Sequence, residues 1–277
     1  MKTTSILLVF QASLFMLSCG YEGQNVPREK GVEMQNNQDH LIMAALYVQL
    51  AAEYEAQCYQ AYNMAKYRLL HKIKESNAQQ QAVVLDLDET VLNNSPYAGF
   101  QIETGLPYSP KSWKKWTSQA NAETIPGAGD FLHFADSLGV TLFYVSNRRV
   151  EELESTKQNM AQLNLPQIAD SNFLLREKES DKEMRRNKIT QKGYEILLFC
   201  GDQLGDFETA WDHGNNEERS RLLKEKKQLL GDRYIIFPNP TYGIWERNLF
   251  KHGDFTAKEK NNRRKEMLKS FTPEATQ

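Results

Sequence analysis

Cysteine is scarce in this chain, with three in 277 residues. One of them, Cys19, ends an apolar N-terminal stretch, so only Cys58 and Cys200 remain for the body of the protein. Two thiols in a chain of this length do not make a disulfide scaffold. Neither sign of charge is in excess: 34 Lys and Arg against 36 Asp and Glu give a formal net charge of −2. There is thus no global electrostatic case for nucleic acid as a partner. No internal repeat is present. Long apolar runs are missing too. The most apolar stretch, Ser5 to Leu17, is too short and wrongly flanked for a stable membrane span.

That stretch follows Lys2 and ends in Met16-Leu17-Ser18-Cys19-Gly20. Small residues before a cleavage point mark a secretory signal. A cysteine at that point resembles the bacterial lipobox, where it is lipidated and becomes the new N-terminus. Residues 1–18 are therefore expected to be a lipoprotein signal peptide and Cys19 its lipidation site. Met16 stands where Leu is usual, and an ordinary signal peptide containing Cys is the plainer alternative. Residues 19–38 are polar and read as a flexible tether. The acyl chains would anchor the rest, residues 39–277, without a transmembrane helix.

The body reads as alternating helices and strands. From His40 to about Glu75 apolar residues recur at helical spacing (Leu41, Ala44, Ala45, Val48, Ala51, Ala52, Ala56), which predicts one long helix or two joined ones. Ser109-Pro110 is an N-cap followed by proline at the first helical position, and the short helix it opens carries Trp113 and Trp116. Further helices are predicted after Gly127, from Val150 to about Leu163, from Ser180 to about Lys192, and from about Asn216 to Leu230. Asn93 to Phe100 reads as turn-rich. The mixed-charge tail from about Thr256 reads as a solvated helix. Apolar runs at Ala82–Leu85, Val140–Val145, Phe173–Leu175, Glu195–Cys200 and Tyr234–Phe237 predict strands. Strands alternating with helices imply a Rossmann-like parallel sheet with helices on both faces and right-handed crossovers, here with a smaller helical part from the N-terminal helix and inserted segments.

Val83-Val84-Leu85-Asp86-Leu87-Asp88-Glu89-Thr90 is the stretch on which function turns. Side chains alternate along a strand, so Asp86 and Asp88 leave it on one side. In open α/β sheets ligands bind beyond the carboxyl ends of the strands. Two carboxylates there are costly unless a cation or a proton relieves their repulsion. The next apolar run ends in Ser146-Asn147-Arg148, a later one in Gly201-Asp202-Gln203-Leu204-Gly205-Asp206, and Lys182 lies between the two. A D-x-D-x-T, a hydroxyl, a lysine and a G-D-x-x-x-D, in this order and at strand ends or helix starts, resemble the haloacid dehalogenase superfamily. Within it, Val-Val-Leu-Asp-Leu-Asp-Glu-Thr-Val-Leu-Asn-Asn-Ser-Pro-Tyr, Phe-Tyr-Val-Ser-Asn-Arg, Gly-Asp-Gln-Leu-Gly-Asp-Phe and Pro-Asn-Pro-Thr-Tyr-Gly are similar to the class C acid phosphatases, bacterial lipoproteins also described as outer-membrane 5′-nucleotidases. Gln203 departs from the Asn more often found there, and is expected to tune its loop without removing chemistry.

The resemblance implies a phosphomonoesterase anchored in the bacterial cell envelope, on the outer membrane, with one Mg²⁺ per chain. Asp86, Asp202 and a main-chain carbonyl near Asp88 would be the metal ligands, an all-oxygen set suited to Mg²⁺ rather than Zn²⁺. Asp86 would attack phosphorus and form an aspartyl-phosphate. Asp88 would protonate the leaving oxygen and then activate water. Ser146, with Asn147 beside it, would hold phosphoryl oxygens, and Lys182 would neutralise their charge. Asp206 would fix Lys182 or a metal-bound water. The substrate would be a small phosphate monoester, 5′-nucleotides foremost, with Tyr242, Trp113 and Tyr108 stacking the base. The alternative for Trp113 and Tyr242 is plain packing of the helix they border. Two rival functions stand beside this one: a surface-binding lipoprotein, for haem as an example, with a vestigial site, and a phosphotransferase of the same fold. A homo-oligomer is left open.

Overall fold

The structure is a computed structural model that describes residues 38–250 and 253–271. The expected signal peptide, Cys19 and the tether before Gln38 lie outside the described residues. No described helix is long and apolar enough to cross a membrane.

In chain order the elements are α1 (Ile42–Leu50), α2 (Ala52–Glu75), β1 (Gln81–Leu85), β2 (Leu92–Asn93), α3 (Ser95–Thr104), α4 (Pro110–Thr117), β3 (Glu123–Thr124), α5 (Ala128–Ser137), β4 (Thr141–Arg149), α6 (Leu153–Gln162), β5 (Phe173–Arg176), α7 (Glu183–Gln191), β6 (Glu195–Gly201), α8 (Asn216–Glu225), β7 (Tyr234–Ile236), α9 (Ile244–Arg247) and α10 (Ala257–Glu266). Five strands form one sheet in the order β5-β4-β1-β6-β7. Every pairing in it is parallel. The predicted Rossmann-like architecture is what the chain adopts, with β1 at its centre.

A central strand of a parallel sheet is covered on both faces, and β1 shows why its sequence is apolar throughout. Val83 and Leu85 point into one hydrophobic cluster, with α2 and α5, while Ala82 and Val84 point into the other, with α7 and the loop carrying Trp211. All four are buried. The same alternation carries Leu87 back into the first cluster. The N-terminal helix pair is part of this core. Tyr62 of α2 packs its ring against Phe131 at 5.4 Å and Phe237 at 4.5 Å, and its hydroxyl donates to the Thr90 carbonyl at 2.5 Å. An outer helix thus pins the loop that follows β1.

Several boundaries differ from those read off the sequence. The turn-rich stretch after Asn93 folds as α3, because Pro96 sits in the first turn and Gly105, at φ 70°, ends the helix in the left-handed region. β4 continues beyond Val145 to Arg149. The helix expected from Ser180 begins at Glu183, with the Asp181 carboxylate accepting the Glu183 N–H at 2.8 Å. Lys182 therefore precedes α7 rather than lying on it. α8 stops at Glu225, short of Leu230. A two-residue ribbon of β2 and β3 was not expected from sequence; Leu92 pairs with Thr124.

Candidate active site

Three of the parallel strands deliver their polar ends to one edge of the sheet. β1 is extended by one ladder bond, Asp86 N–H to the Cys200 carbonyl at 2.9 Å. The chain then reverses: the Leu87 carbonyl accepts the N–H groups of Thr90, Val91 and Leu92. This tight turn forces Glu89 to φ 58°, unusual for a non-glycine residue. The strain is offset by its side chain, which accepts the Asn94 N–H at 2.9 Å and a short hydrogen bond from the Tyr242 hydroxyl.

Lys182 is the centre of charge. Its ammonium lies 2.5 Å from Asp86 Oδ1 and 2.7 Å from Asp206 Oδ1, and all three residues are buried. Burial works against the ammonium, but Asp206 and Asp86 outweigh it and raise its pKa. Removing the lysine would strand two buried carboxylates, a change of the kind that costs about 3–5 kcal/mol. Asp206 is oriented from its other oxygen, which accepts the Gln203 N–H at 2.9 Å. A Cβ on Gly201 would stand 2.4 Å from the Asp206 side chain, so glycine before Asp202 makes room for this carboxylate.

Oxygens of Asp86, Asp202 and Asp206 lie within 4.8 Å of one another. Burial is the largest reason the Asp86 carboxyl is raised; Lys182 opposes it and the neighbouring aspartates add to it. Burial, with Asp206 beside it, pushes Asp202 up to about 8. A cluster of hard oxygen donors whose charges are penalised by burial and by one another fits a divalent cation such as Mg²⁺. Asp206 joins this carboxylate cluster. The Asp88 side chain, expected near the metal only through its main chain, is engaged elsewhere. Asp202 is aimed by Gln203 Nε2 at 2.9 Å and Asn239 Nδ2 at 2.8 Å. Gln203 also donates to the Tyr242 carbonyl at 3.3 Å, so the residue expected to tune its loop ties that loop to the one after β7.

The raised Asp202 pKa has a measurable consequence. Without metal the folded protein holds a proton there near neutral pH, while the unfolded chain, at about 4, does not. This contribution to metal-free stability is complete below about pH 4 and is lost as pH rises through about 8. A cation favours the ionised carboxylate, so Mg²⁺ titrated in at pH 7 is expected to expel at least about one proton per ion. Calorimetry in two buffers of different ionisation enthalpy reads that number. Equal heats in both would contradict it.

Asp88 is held asymmetrically. Its Oδ1 accepts from Arg148 Nε at 2.9 Å and from Asn94 Nδ2 at 2.9 Å, and lies 2.8 Å from a second Arg148 nitrogen. Among the described residues its Oδ2 meets only the Ser146 hydroxyl, at 3.5 Å. Ser146 is fully buried, and its hydroxyl accepts the Arg148 N–H at 3.1 Å. Asn147 is exposed on the same strand, where its Oδ1 accepts from Arg185 at 2.7 Å. Arg185 also bonds the Ser146 carbonyl, and Arg186 donates to the Gly205 and Asp206 carbonyls at 3.0 Å each. These two buried arginines fasten the start of α7, and so Lys182, to β4 and to the β6 loop.

The expected aromatics are placed around this centre. Trp113 lies with its ring centroid 5.9 Å from the Arg148 guanidinium carbon and packs edge-on against Tyr97 at 5.1 Å. Tyr108, largely exposed, is 6.2 Å from Trp113. Tyr242 comes from the loop after β7 and reaches the centre through its hydroxyl on Glu89. Trp116, expected only as a helix residue, donates its indole N–H to Asn94 Oδ1 at 2.8 Å. Arg148, Arg185, Asn94, Glu89 and Asn239 had no assigned role in the sequence. Only their adjacency to named motifs, Asn94 and Glu89 behind the aspartates and Arg148 behind Ser146, was there to be seen.

A parallel α/β sheet whose central strand ends in paired aspartates, with a lysine bridging two carboxylates from separate loops, is the frame of a haloacid dehalogenase-type enzyme. Residues 9–245 match the family described as HAD superfamily, subfamily IIIB (acid phosphatase). The chain belongs to that acid phosphatase family. Among solved structures it is similar to the class C acid phosphatase of Bacillus anthracis with tungstate bound, at a TM-score of 0.81 and 38% identity, over 86% of this chain and 100% of that one. The structure of the same phosphatase described without tungstate gives the same figures. Among curated sequences it is similar to a stem 31 kDa glycoprotein of Glycine max, 23% identical over 58% of this chain, and to vegetative storage protein 1 of Arabidopsis thaliana, 27% identical over 44%. The matches span 59% and 47% of the length of those plant proteins.

Proposed function

We propose that the chain hydrolyses phosphate monoesters, 5′-nucleotides foremost, through an aspartyl-phosphate on Asp86. The observation that carries this reading is the Asp86–Lys182–Asp206 bridge beside Asp202, on the edge where a phosphate would meet the sheet. Tungstate, bound by the Bacillus anthracis relative, is a tetrahedral oxyanion of the phosphate kind.

Asp86, Asp202 and Asp206 are the residues that would hold Mg²⁺. The ion would offset the repulsion between a phosphate dianion and an attacking carboxylate. The chain's own groups do the rest. The phosphoryl oxygens face the Lys182 ammonium and the Ser146 hydroxyl. Asp86 forms the O–P bond as the ester O–P bond breaks, and the leaving oxygen takes a proton from Asp88. Oδ1 of Asp88 already accepts from Arg148 and Asn94, so the transferable proton belongs on Oδ2. Asp88 then takes a proton from water, which attacks phosphorus, and the Asp86–phosphorus bond breaks to give phosphate and restored Asp86. This is a cycle of hydrolysis, and intact Asp86, Asp88, Lys182, Asp202 and Asp206 speak against a vestigial site.

Nucleotide preference rests on the aromatics. A base stacked on Trp113 contributes about 1–3 kcal/mol. Trp113→Ala is therefore expected to raise KM for a 5′-nucleotide about tenfold or more, and to leave KM for a small sugar phosphate nearly unchanged. A panel of nucleotides and sugar phosphates, assayed for released phosphate, tests both parts. No phosphate release from any of them would end the phosphatase reading. Equal KM changes across the panel would end the nucleotide part alone.

A further inference from the structure

Asn94 is a buried junction that joins three parts of the molecule. Its N–H donates to Glu89 Oε1 at 2.9 Å, its Oδ1 accepts the Trp116 indole N–H at 2.8 Å, and its Nδ2 donates to Asp88 Oδ1 at 2.9 Å. A second, longer contact runs from Nδ2 to the Leu92 carbonyl at 3.3 Å. Through Glu89 the junction reaches Tyr242, and through Trp116 it reaches α4.

An indole N–H can donate but never accept. Trp116 therefore fixes which end of the Asn94 amide faces it. The carboxamide oxygen is turned to Trp116, and the NH₂ is left to face Asp88. If the amide rotated by half a turn, two things would go wrong at once. The indole would face an NH₂ group, and Asp88 Oδ1 would face an oxygen lone pair. The donor that Asp88 feels is thus set by a tryptophan that does not touch it. Oδ1 is pinned from two directions, by Asn94 and by the Arg148 guanidinium. A carboxylate pinned at one oxygen presents the other, Oδ2, at a fixed place.

We propose that Trp116, acting through the Asn94 amide, is a positioning residue for the acid–base carboxylate: it sets the orientation of Asp88 so that Oδ2 delivers the proton to the leaving oxygen. This rests on the reading of Asp88 as the general acid. The pairing also gives α4 a second task. The same helix that carries Trp113 carries Trp116, so α4 borders both the aromatic cluster and the donor on Asp88.

The role separates from a merely structural one by its dependence on the leaving group. A ribose 5′-oxygen leaves poorly without a proton, and a nitrophenolate leaves well. Trp116→Phe keeps an aromatic ring on α4 and removes the pyrrole half of the indole with its N–H. It is expected to lower kcat/KM, which reads the steps up to departure of the leaving group, about tenfold for a 5′-nucleotide, the scale of one misplaced hydrogen bond, with less than about a twofold change for p-nitrophenyl phosphate. In an Asn94→Ala background the same substitution is expected to add almost nothing, because the amide through which it acts is gone. Asp88→Asn, measured beside them, tests the reading underneath. If Asp88→Asn lowers kcat/KM equally for both substrates, the general-acid assignment fails and this proposal with it. If Asp88→Asn separates the substrates but Trp116→Phe slows both equally, or if the two substitutions act additively, the positioning role alone is overturned.

Discussion

Asp86→Asn is expected to abolish turnover with every substrate, a loss on the order of 10⁴-fold or more, the scale seen when a nucleophile is removed. An amide oxygen cannot carry the phosphoryl group to a hydrolysable acyl phosphate, so neither a good leaving group nor added metal can rescue the variant. The fold is not expected to suffer. Asp86 is 8% exposed, and burial already penalises its charge. A neutral amide of the same shape removes that penalty, keeps an oxygen toward Lys182, and leaves Lys182 its second partner, Asp206. Tm is therefore expected to stay within about 3 °C of the wild type or to rise, a change of about 1 kcal/mol for a domain of this size. Phosphate release measured on a sample with native circular dichroism checks both parts. Residual turnover at about a hundredth of wild type would require another nucleophile.

Chelation of the metal proposed for Asp86, Asp202 and Asp206 is expected to give the second large effect. Three buried carboxylates meet around one lysine. One ammonium cannot neutralise them and a phosphate dianion as well. Dialysis against EDTA is expected to lower phosphate release at least about 100-fold, which corresponds to about 2.7 kcal/mol of lost charge stabilisation. Mg²⁺ is expected to restore it. Because the ion binds only the folded chain, Mg²⁺ at about 100 times its Kd is expected to add about 2.7 kcal/mol of stability. A thermal melt reads this without reference to activity. Full activity in a sample free of metal by elemental analysis would contradict the all-oxygen site, and so would a melting temperature indifferent to Mg²⁺.

The parts of this site that were legible in the sequence are those whose chemistry is local. Asp86 and Asp88 could be placed at a strand end because Ala82 to Leu85 is an unbroken apolar run and the pleat does the rest. Asp202 and Asp206 share a short loop behind another such run, so their convergence with Asp86 followed from the parallel sheet. Lys182 could be named by its order between Ser146 and Asp202, but the sequence puts it inside a helix from Ser180, whereas α7 begins at Glu183. The lysine is itself the N-cap residue of α7, with the Asp181 carboxylate on the Glu183 N–H, and a cap position carries no signal in hydrophobic periodicity. Arg148 and Trp116 were hidden for another reason. Arg148 meets Asp88 across a separation of 60 residues, and Trp116 meets Asn94 across 22. Either side chain is ordinary until the sheet and α4 bring it to a buried acceptor. Asn93 to Phe100 reads as turn-rich yet folds as α3, because Pro96 stands in the first turn of the helix, where its missing N–H costs nothing.

The central claim is that Asp86, and no other group, carries the phosphoryl group between the two half-reactions. Rapid acid quench of the working enzyme with a 5′-nucleotide, followed by borohydride reduction and peptide mass spectrometry, tests it at the level of one atom. An acyl phosphate survives acid and is reduced to the alcohol, so the expected result is homoserine at position 86 in place of aspartate, absent from samples quenched without substrate. Homoserine at Asp88, or no reduced residue while phosphate is being released, would contradict the account.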